Sequence, residues 1–282
     1  MTISKSDGTV SQDVEDLEIE LLLEGIWRRY GYDFREYDRE YVRERVQALL
    51  RHGGFGTATQ LLERVLRDPE PLEAFLSPGE GAADSFFKPA KVWLTIRRKA
   101  IPILRTYPSI KAWALGGSSE GELYALLILL EEELSRPYTL YATGLHARRI
   151  GRDRSVLFSK TQLPRLSKSY ASAGGRRKLD DYLQRNNGQS AVLPELKNRV
   201  VFASHNLATD GSFNEFQLIL ARNAMKGFNQ ELRARAFRLI DESLVRFGFL
   251  VLRNGDSPDG FLPAGAYRVL DRGAGLYQKM TS

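Results

Sequence analysis

The segment that most constrains the fold is an apolar run that ends in a loop of small residues and continues as a helix. It extends from Lys111 to Leu130, and its small residues lie at Gly116 to Ser119. Small side chains let a ligand approach the backbone, and the first turn of a helix offers free N–H groups. The pattern predicts an α/β domain with a site for a nucleoside-bearing ligand, although any tight strand-to-helix connection also favours small residues.

Composition excludes several kinds of site. The chain has 282 residues, of which 43% are hydrophobic, so it can bury one large core or two smaller ones. It has no cysteine, which excludes disulfides, thiolate metal ligands and cysteine nucleophiles. His52, His146 and His205 are far apart and lack the spacing of metal ligands, so we expect no bound metal.

Hydropathy and charge indicate a cytoplasmic protein. The longest apolar run, Leu123 to Leu130, is too short to span a membrane, and the N-terminal residues do not resemble a signal peptide. The formal net charge is +6, from 41 basic and 35 acidic residues, which suits an acidic partner or solubility in general. Nucleic acid is a less favoured partner, because no recurrent basic-plus-aromatic pattern is present.

Hydrophobic periodicity divides the chain into parts. Residues 1–15 are polar and are predicted to be disordered, whereas 16–80 show helical spacing and predict a helical N-terminal domain. The loop composition of 77–83 predicts the boundary. Residues 81–282 are predicted to form an α/β domain, and the polar, basic stretch at about 150–198 is an insertion, a small subdomain or a mobile flap.

Short apolar runs within the second domain predict buried strands. Helical segments separate most of them, which predicts a mostly parallel sheet. The runs are Ile110–Leu115, Tyr138–Thr143, Val200–Ala203, Phe216–Ala221 and Phe249–Leu252. A closing hairpin is predicted further on, from Ala266–Leu270 and Gly275–Lys279.

Several local patterns occur in the chain order of one family. They are Tyr30 to Phe34 with Tyr37 and Arg45, Ser85 to Lys88, Trp113 to Tyr124, Ala142 to His146, Phe202 to Leu207, Ala221 to Phe228, Phe247 to Leu252 and Leu276 to Lys279. In these patterns the chain resembles, over about residues 17–280, the CheR-type methyltransferases, which methylate glutamates of chemoreceptors with S-adenosylmethionine. The resemblance implies a Rossmann-like class I methyltransferase domain preceded by a small all-α domain.

The resemblance also implies contacts to S-adenosylmethionine or S-adenosylhomocysteine. The residues at such positions that fit the family pattern are Gly117, Ser118, Glu122, Asn206, Leu207, Arg222 and Asn223. Asn206 could instead cap a turn, and Arg222 could pair across the sheet. Lys88 and Tyr124 are the candidates for a catalytic role.

Other ligand-side positions depart from the family pattern. They are Asp84, Lys88, Glu120, Gly121, Gly144 and Gly227. Gly144 stands where the family has an acidic residue that binds the ribose hydroxyls, and each lost charge-assisted hydrogen bond costs about 1.5–3 kcal/mol. Lys88 replaces an arginine that reaches the methionyl end of the cofactor, and Asp84 replaces a threonine and would repel the cofactor carboxylate. Glu120-Gly121 inverts a Gly-Glu pair, and Gly227 replaces a tyrosine.

Several residues have two interpretations, one as part of a binding surface or pocket and one as ordinary structural or surface residues. By the resemblance, Arg39 and Arg43 would contact acidic, glutamate-bearing helices of a partner, but they could also form a solvated face paired with neighbouring glutamates. His205 could line the pocket or be structural. Arg148 and Arg149 could receive an anionic ligand or lie on the surface, and Trp113 is predicted to be a core residue, because buried aromatic side chains dominate cores.

Two functions follow from these patterns. The first is a signalling protein with a degraded S-adenosylmethionine pocket, catalytically weak or inactive, that acts by binding a protein partner or another ligand. The alternative is an active protein-glutamate O-methyltransferase of a chemosensory pathway. Altered ligand-side positions favour the first. The absence of a catalytic base favours neither, since methyl transfer to a carboxylate needs positioning and desolvation only.

Overall fold

The computed structural model describes residues 7–76, 82–116, 119–144, 158–186, 188–207, 209–212 and 214–281. The chain divides into two compact units. The helical unit comprises Met1–Ser77 with Gly227–Arg233, and the sheet unit comprises Pro78–Lys226 with Ala234–Ser282.

Side-chain caps mark the start of two of the four helices described in the helical unit. The helices are α1 Asp7–Tyr30, α2 Arg39–Gly53, α3 Ala58–Arg67 and α4 Glu70–Leu76. Asp38 caps α2, because its carboxylate accepts a hydrogen bond from Tyr41 N at 3.0 Å. The Thr57 hydroxyl caps α3 in the same way by accepting from Gln60 N at 3.2 Å. Each cap satisfies an N–H group that has no partner within its helix.

The first helix is longer than the sequence predicted. α1 begins at Asp7, whereas the sequence predicted disorder over residues 1–15. Ile19, Leu22 and Ile26 of α1 are buried, and Gln47 on α2 donates a hydrogen bond to Glu15 at 2.9 Å. Glu15, near the polar start of α1, therefore has a partner on another helix, which the local composition does not reveal.

The helical unit also includes a segment that is distant in sequence. Phe228 packs edge-on against Tyr37 with ring centroids 5.0 Å apart, and Asp38 N donates to Gly227 O at 2.7 Å. The division of the chain thus differs from the prediction of one domain over 81–282. Contacts between residues so far apart in sequence leave no local pattern.

The sheet unit is built on a twisted, mostly parallel sheet. The strands of the described residues are β1 Ile110–Ala114, β2 Tyr138–Gly144, β3 Phe158–Ser159, β4 Leu183–Asn186, β5 Gln189–Val192, β6 Val200–Ser204, β7 Phe216–Ala221, β8 Leu244–Leu252, β9 Tyr267–Asp271 and β10 Leu276–Lys279. The main sheet has the order β6-β2-β1-β7-β8-β10-β9, and β10 is antiparallel to both of its neighbours. The predictions of a mostly parallel sheet and a closing hairpin are confirmed.

Helices connect and cover these strands. They are α5 Ala82–Ser85, α6 Ala90–Thr95, a π-helical turn Ile96–Ala100, α7 Ile101–Leu104, α8 Glu120–Glu133, α9 Leu163–Ser172, a 3₁₀ turn Leu179–Tyr182, α10 Pro194–Lys197 and α11 Gln230–Ser243. α8 follows β1 and is buried on all sides from Gly121 to Leu130, since it is apolar around its whole circumference. The core lies between α8 and the sheet.

Residues 158–192, here called the hairpin subdomain, form a second small sheet. Its antiparallel strands have the order β3-β5-β4, and α9 precedes β4. Phe158 on β3 packs against Phe86, and Tyr170 on α9 packs against Phe87, in each case with ring centroids 5.3 Å apart. The buried pair Phe86 and Phe87 thus anchors the subdomain within the sheet unit.

Candidate functional site

The carboxyl ends of the parallel strands define the place of the site. β1 pairs with β2 on one side and with β7 on the other, so the order of strands reverses next to β1. In open α/β sheets, ligands bind outside the carboxyl ends of the strands at such a switch point. The residues that follow β1, β2, β6 and β7 therefore meet at one edge, here called the carboxyl edge.

Two glycines bring the ends of β1 and β2 close together at this edge. A Cβ atom at Gly116 would lie 3.2 Å from Gly144 Cα, and a Cβ atom at Gly144 would lie 3.4 Å from Gly116 Cα. Gly144 consequently offers only backbone groups at the end of β2. The space there still admits a side chain, because 3.4 Å is an ordinary van der Waals contact.

The start of α8 lies beside the loop that follows β1. Ser119 is the N-cap, and its hydroxyl accepts a hydrogen bond from Glu122 N at 3.3 Å and contacts the Ser85 hydroxyl. Gly121 follows Glu120 in the first turn of α8, so it is a helical residue and not a loop glycine. The predicted ligand contacts Gly117 and Ser118 lie outside the described residues.

Glu122, Arg222 and Asn223 form a polar cluster between α8 and the end of β7. Arg222 Nη1 donates to the Glu122 carboxylate and, at 3.1 Å, to the carbonyl oxygen of Lys88. Asn223 Nδ2 lies 3.4 Å from the other Glu122 oxygen. The Glu122 side chain is 2% exposed and that of Arg222 is 11% exposed, so the pair is shielded from water. Arg222 therefore pairs with a helix residue and not across the sheet.

Asn206 and Leu207 lie in the loop after β6. Asn206 N donates to Asp210 Oδ2 at 2.9 Å, and Asp210 N donates to Asn206 O at 2.8 Å, so Asn206 opens a turn. Leu207 is buried. His205 packs edge-on against the buried Trp113 at 5.4 Å, which confirms Trp113 as a core residue and gives His205 a structural contact.

Asp84 has a counterion that the sequence did not reveal. Its carboxylate oxygen Oδ1 lies 3.0 Å from Arg165 Nη2 on α9. Lys88, four residues later, is half-buried, and its carbonyl oxygen is held by Arg222. Sequence reasoning missed Arg165 because a single arginine in a polar, basic stretch has no signal of its own.

Tyr124 lies in the hydrophobic core of the sheet unit. The residue is 1% exposed, and burial together with the charge of Glu120 raises the pKa of Tyr124 to about 12. A phenol with this pKa stays protonated near neutral pH. The structure therefore gives no support to a catalytic role for Tyr124.

Gly227 belongs to the helical unit and has a left-handed backbone with φ of 80°. A Cβ atom at this position would lie 2.1 Å from Tyr41 Cδ1. The tyrosine that the resemblance implies at this position would therefore be incompatible with the observed position of the Tyr41 ring.

Arg39 and Arg43 are both paired within the helical unit. Arg39 lies 3.5 Å from Glu20, and its side chain is 88% exposed. Arg43 pairs with Asp16 on α1 and, at 3.3 Å, with Glu40. These contacts fit the alternative of an internally paired face, and partner binding by the two arginines stays a prediction.

Some predicted features fall outside the described residues or are not found within them. His146, Arg148 and Arg149 lie outside the described residues. Within the described ranges, no group of three histidine or acidic residues could hold a metal ion. Among the helices that the structure describes, none is long and apolar enough to cross a membrane.

The fold is that of the class I S-adenosylmethionine-dependent methyltransferases, and comparison with known proteins gives the family. Residues 83–259 match the CheR methyltransferase SAM-binding domain, and residues 17–77 match the CheR methyltransferase all-α domain. The chain belongs to the CheR methyltransferase family.

Two relatives in sequence support the same assignment. "Putative methyltransferase Cher3" of Pseudomonas putida is 37% identical over 245 residues, which cover 86% of this chain and 90% of that protein. A "Chemotaxis protein methyltransferase" of Listeria innocua is 25% identical over 228 residues, covering 80% and 84%. A solved structure of the glycopeptide N-methyltransferase MtfA with S-adenosyl-L-methionine is 13% identical with a TM-score of 0.30, covering 56% of this chain and 53% of that one.

Proposed function

We propose that this chain is a cytoplasmic signalling protein that binds S-adenosylmethionine or S-adenosylhomocysteine weakly, transfers methyl groups slowly or not at all, and acts by binding a protein partner. The observation that carries the proposal is Gly144, which presents only backbone at the end of β2 beside Gly116. A site for a ribose needs acceptors at this strand end. Without a carboxylate the affinity is expected to fall by about tenfold to a hundredfold for each hydrogen bond lost.

Other features of the carboxyl edge support binding of an adenosyl ligand. The N-terminus of α8 faces this edge, and Glu122 and Asn223 provide polar groups beside it. Arg222 Nε is buried and has no hydrogen-bond acceptor among the described residues, so it is a donor available to a ligand in this region. The residues present thus fit the adenosyl cofactor in part and lack the ribose acceptor.

Titration calorimetry with S-adenosylhomocysteine tests this proposal. We expect weak binding by the natural chain and about tenfold or more tighter binding by Gly144→Asp, because the carboxylate restores charge-assisted acceptors for the ribose. Gly56→Asp is the matched control, since Gly56 is exposed in the helical unit and the nearest atom to a Cβ there is the flexible Gln60 side chain at 3.4 Å, and the affinity of this variant should equal that of the natural chain.

Two results would contradict the proposal in different ways. Low-micromolar binding by the natural chain would show that the pocket is not degraded. Absence of binding even in the triple variant Gly144→Asp, Lys88→Arg and Asp84→Thr would show that these positions are not the ones that limit binding.

A second candidate function is active protein-glutamate O-methylation. The observation that favours it is the Asp84–Arg165 pair, which counters the negative charge that would otherwise oppose a cofactor carboxylate. In such a transfer the carboxylate oxygen of a glutamate attacks the methyl carbon, the bond from that carbon to sulfur breaks, and no proton moves. The chain would need only to align the two groups and exclude water.

The two functions are separated by a transfer assay. Incubation with S-adenosylmethionine labelled in the methyl group and an acidic helical receptor fragment should give no base-labile methyl ester if the first function holds. Labelled ester that increases with time would establish the second. Binding of the fragment without transfer, weakened by Arg39→Ala or Arg43→Ala, would identify the partner surface.

A further inference from the structure

An exposed arginine of the hairpin subdomain is paired with a residue of the carboxyl edge. Arg165 Nη2 lies 3.0 Å from Asp84 Oδ1, and the two side chains are 48% and 62% exposed. Both belong to the sheet unit but lie about eighty residues apart in the chain. The rest of the guanidinium retains N–H groups that Asp84 does not engage, because a guanidinium has more donors than one carboxylate oxygen uses.

Contacts on both sides fix the segment that carries Asp84 at the carboxyl edge. Ser85, the next residue, contacts the N-cap hydroxyl of Ser119 at the start of α8. The Lys88 carbonyl accepts a hydrogen bond from Arg222, which follows β7. Asp84 therefore lies next to residues that follow β1 and β7, the strands at the switch point.

Arg165 is held in place by the packing of its own subdomain. Tyr170, five residues further along α9, packs against Phe87, and both residues are at most 2% exposed. The carbonyl of Ala173, just after α9, accepts a hydrogen bond from the buried Arg97 Nε at 3.1 Å. The pair thus forms between two anchored segments, so its geometry costs less side-chain ordering than that of two free surface residues.

We propose that Arg165 determines the affinity of the carboxyl edge for the amino-acid end of an S-adenosyl ligand, by neutralising Asp84 and presenting its free N–H groups to the ligand carboxylate. This inference rests on the proposed function. An uncompensated Asp84 would repel that carboxylate, whereas a guanidinium beside it is the side-chain group best suited to bind one. The hairpin subdomain thereby contributes to the ligand site from outside the sheet.

The test compares two ligands that differ only at the amino-acid end. S-adenosylhomocysteine carries the carboxylate, and 5′-methylthioadenosine lacks it. We expect Arg165→Gln to weaken binding of S-adenosylhomocysteine about fivefold, the size of one partly exposed charge interaction, and to leave 5′-methylthioadenosine unchanged. The loss should shrink at high salt, because the interaction is electrostatic.

A second variant and a control complete the measurement. Asp84→Asn in the Arg165→Gln background should recover about half or more of the lost binding free energy for S-adenosylhomocysteine, since it removes the repelling charge. Arg185→Gln is the matched control, because Arg185 pairs with Asp180 at 2.7 Å within the same subdomain and is likewise exposed. It should change neither affinity.

The outcomes separate the inference from the proposed function. If the natural chain binds neither compound, the proposed function fails. If it binds both and Arg165→Gln leaves the S-adenosylhomocysteine affinity unchanged or tightens it, the role of Arg165 is overturned. Equal losses for both compounds would also overturn it, since they would show that Arg165 supports the fold of the site and does not sense the carboxylate.

Discussion

Gly227 has a left-handed backbone, and the ring of Tyr41 lies where a side chain at this position would begin. Glycine is the residue that adopts positive φ without cost, and here the neighbouring ring also leaves no room for a Cβ atom. The glycine that looks in the sequence like a lost tyrosine is therefore required by the packing of the helical unit.

A substitution tests this requirement. Gly227→Ala should lower the free energy of unfolding by about 1–2 kcal/mol from the left-handed backbone, and further from the clash with Tyr41. Chemical denaturation measures the change. The double variant Gly227→Ala with Tyr41→Ala should lose less stability than the sum of the two single variants, because removing the ring also removes the clash. Additive losses of unfolding free energy would contradict the contact.

At the scale of secondary-structure elements, the C-terminal end of α8 is a junction where three elements meet. Arg97 in the π-helical turn lies 2.5 Å from Glu132 and 2.5 Å from Glu133, and all three side chains are at most 6% exposed. Tyr170 on α9 donates a hydrogen bond to Glu132 at 2.6 Å. The network joins α8, the π-helical turn and the hairpin subdomain, and breaking such a buried pair is costly because it leaves a charge without its partner.

The decrease in thermal stability at acidic pH should depend on this junction. Burial alone would raise the pKa of Glu132, but hydrogen bonds from Tyr170 and Arg176 N and the charge of Arg97 together lower it below its ordinary value of 4.5. A carboxyl group with a lowered pKa stabilises the folded state above pH 4.5, and this contribution is lost as pH falls through its folded value. Glu132→Gln should therefore flatten the decline of Tm as the pH falls below about 4.5, and an unchanged slope would contradict the assignment.

At the scale of the whole molecule, the helical unit is completed by residues from far along the chain. The segment Gly227–Arg233 follows β7 in sequence but groups with the helical unit, where Phe228 is 7% exposed. An element order read along the chain would place this segment with the sheet. Its position shows that the chain crosses between the two units more than once.

Amide hydrogen exchange can test whether this segment stabilises the helical unit. Phe228→Ala should destabilise the helical unit by about 3–5 kcal/mol, the usual cost of truncating a buried phenylalanine, and speed amide exchange in α2. Exchange in β1 and β2 should stay as in the natural chain. Faster exchange in those strands with an unchanged α2 would contradict the division into units.

The strands were predictable for a physical reason, because buried parallel strands leave continuous apolar runs. Glu122, Arg222 and Asn223 were named through the resemblance to the family, and the structure brings their side chains together. Two contacts were not predicted from the sequence. One is the pairing of Arg165 with Asp84, and the other is the packing of the Tyr41 ring against Gly227. Each contact joins residues that are distant in the chain, and neither leaves a local pattern.

Periodicity and short motifs are local properties of the chain, and they specify the α/β class, the family and the strand ends beside the candidate site. The pairing of charges depends instead on the folded arrangement, which joins Asp84 to Arg165, Glu122 to Arg222 and Glu132 to Arg97. Ion pairs form between side chains that folding brings within about 4 Å, and for residues far apart in the chain the sequence spacing carries no information about that distance.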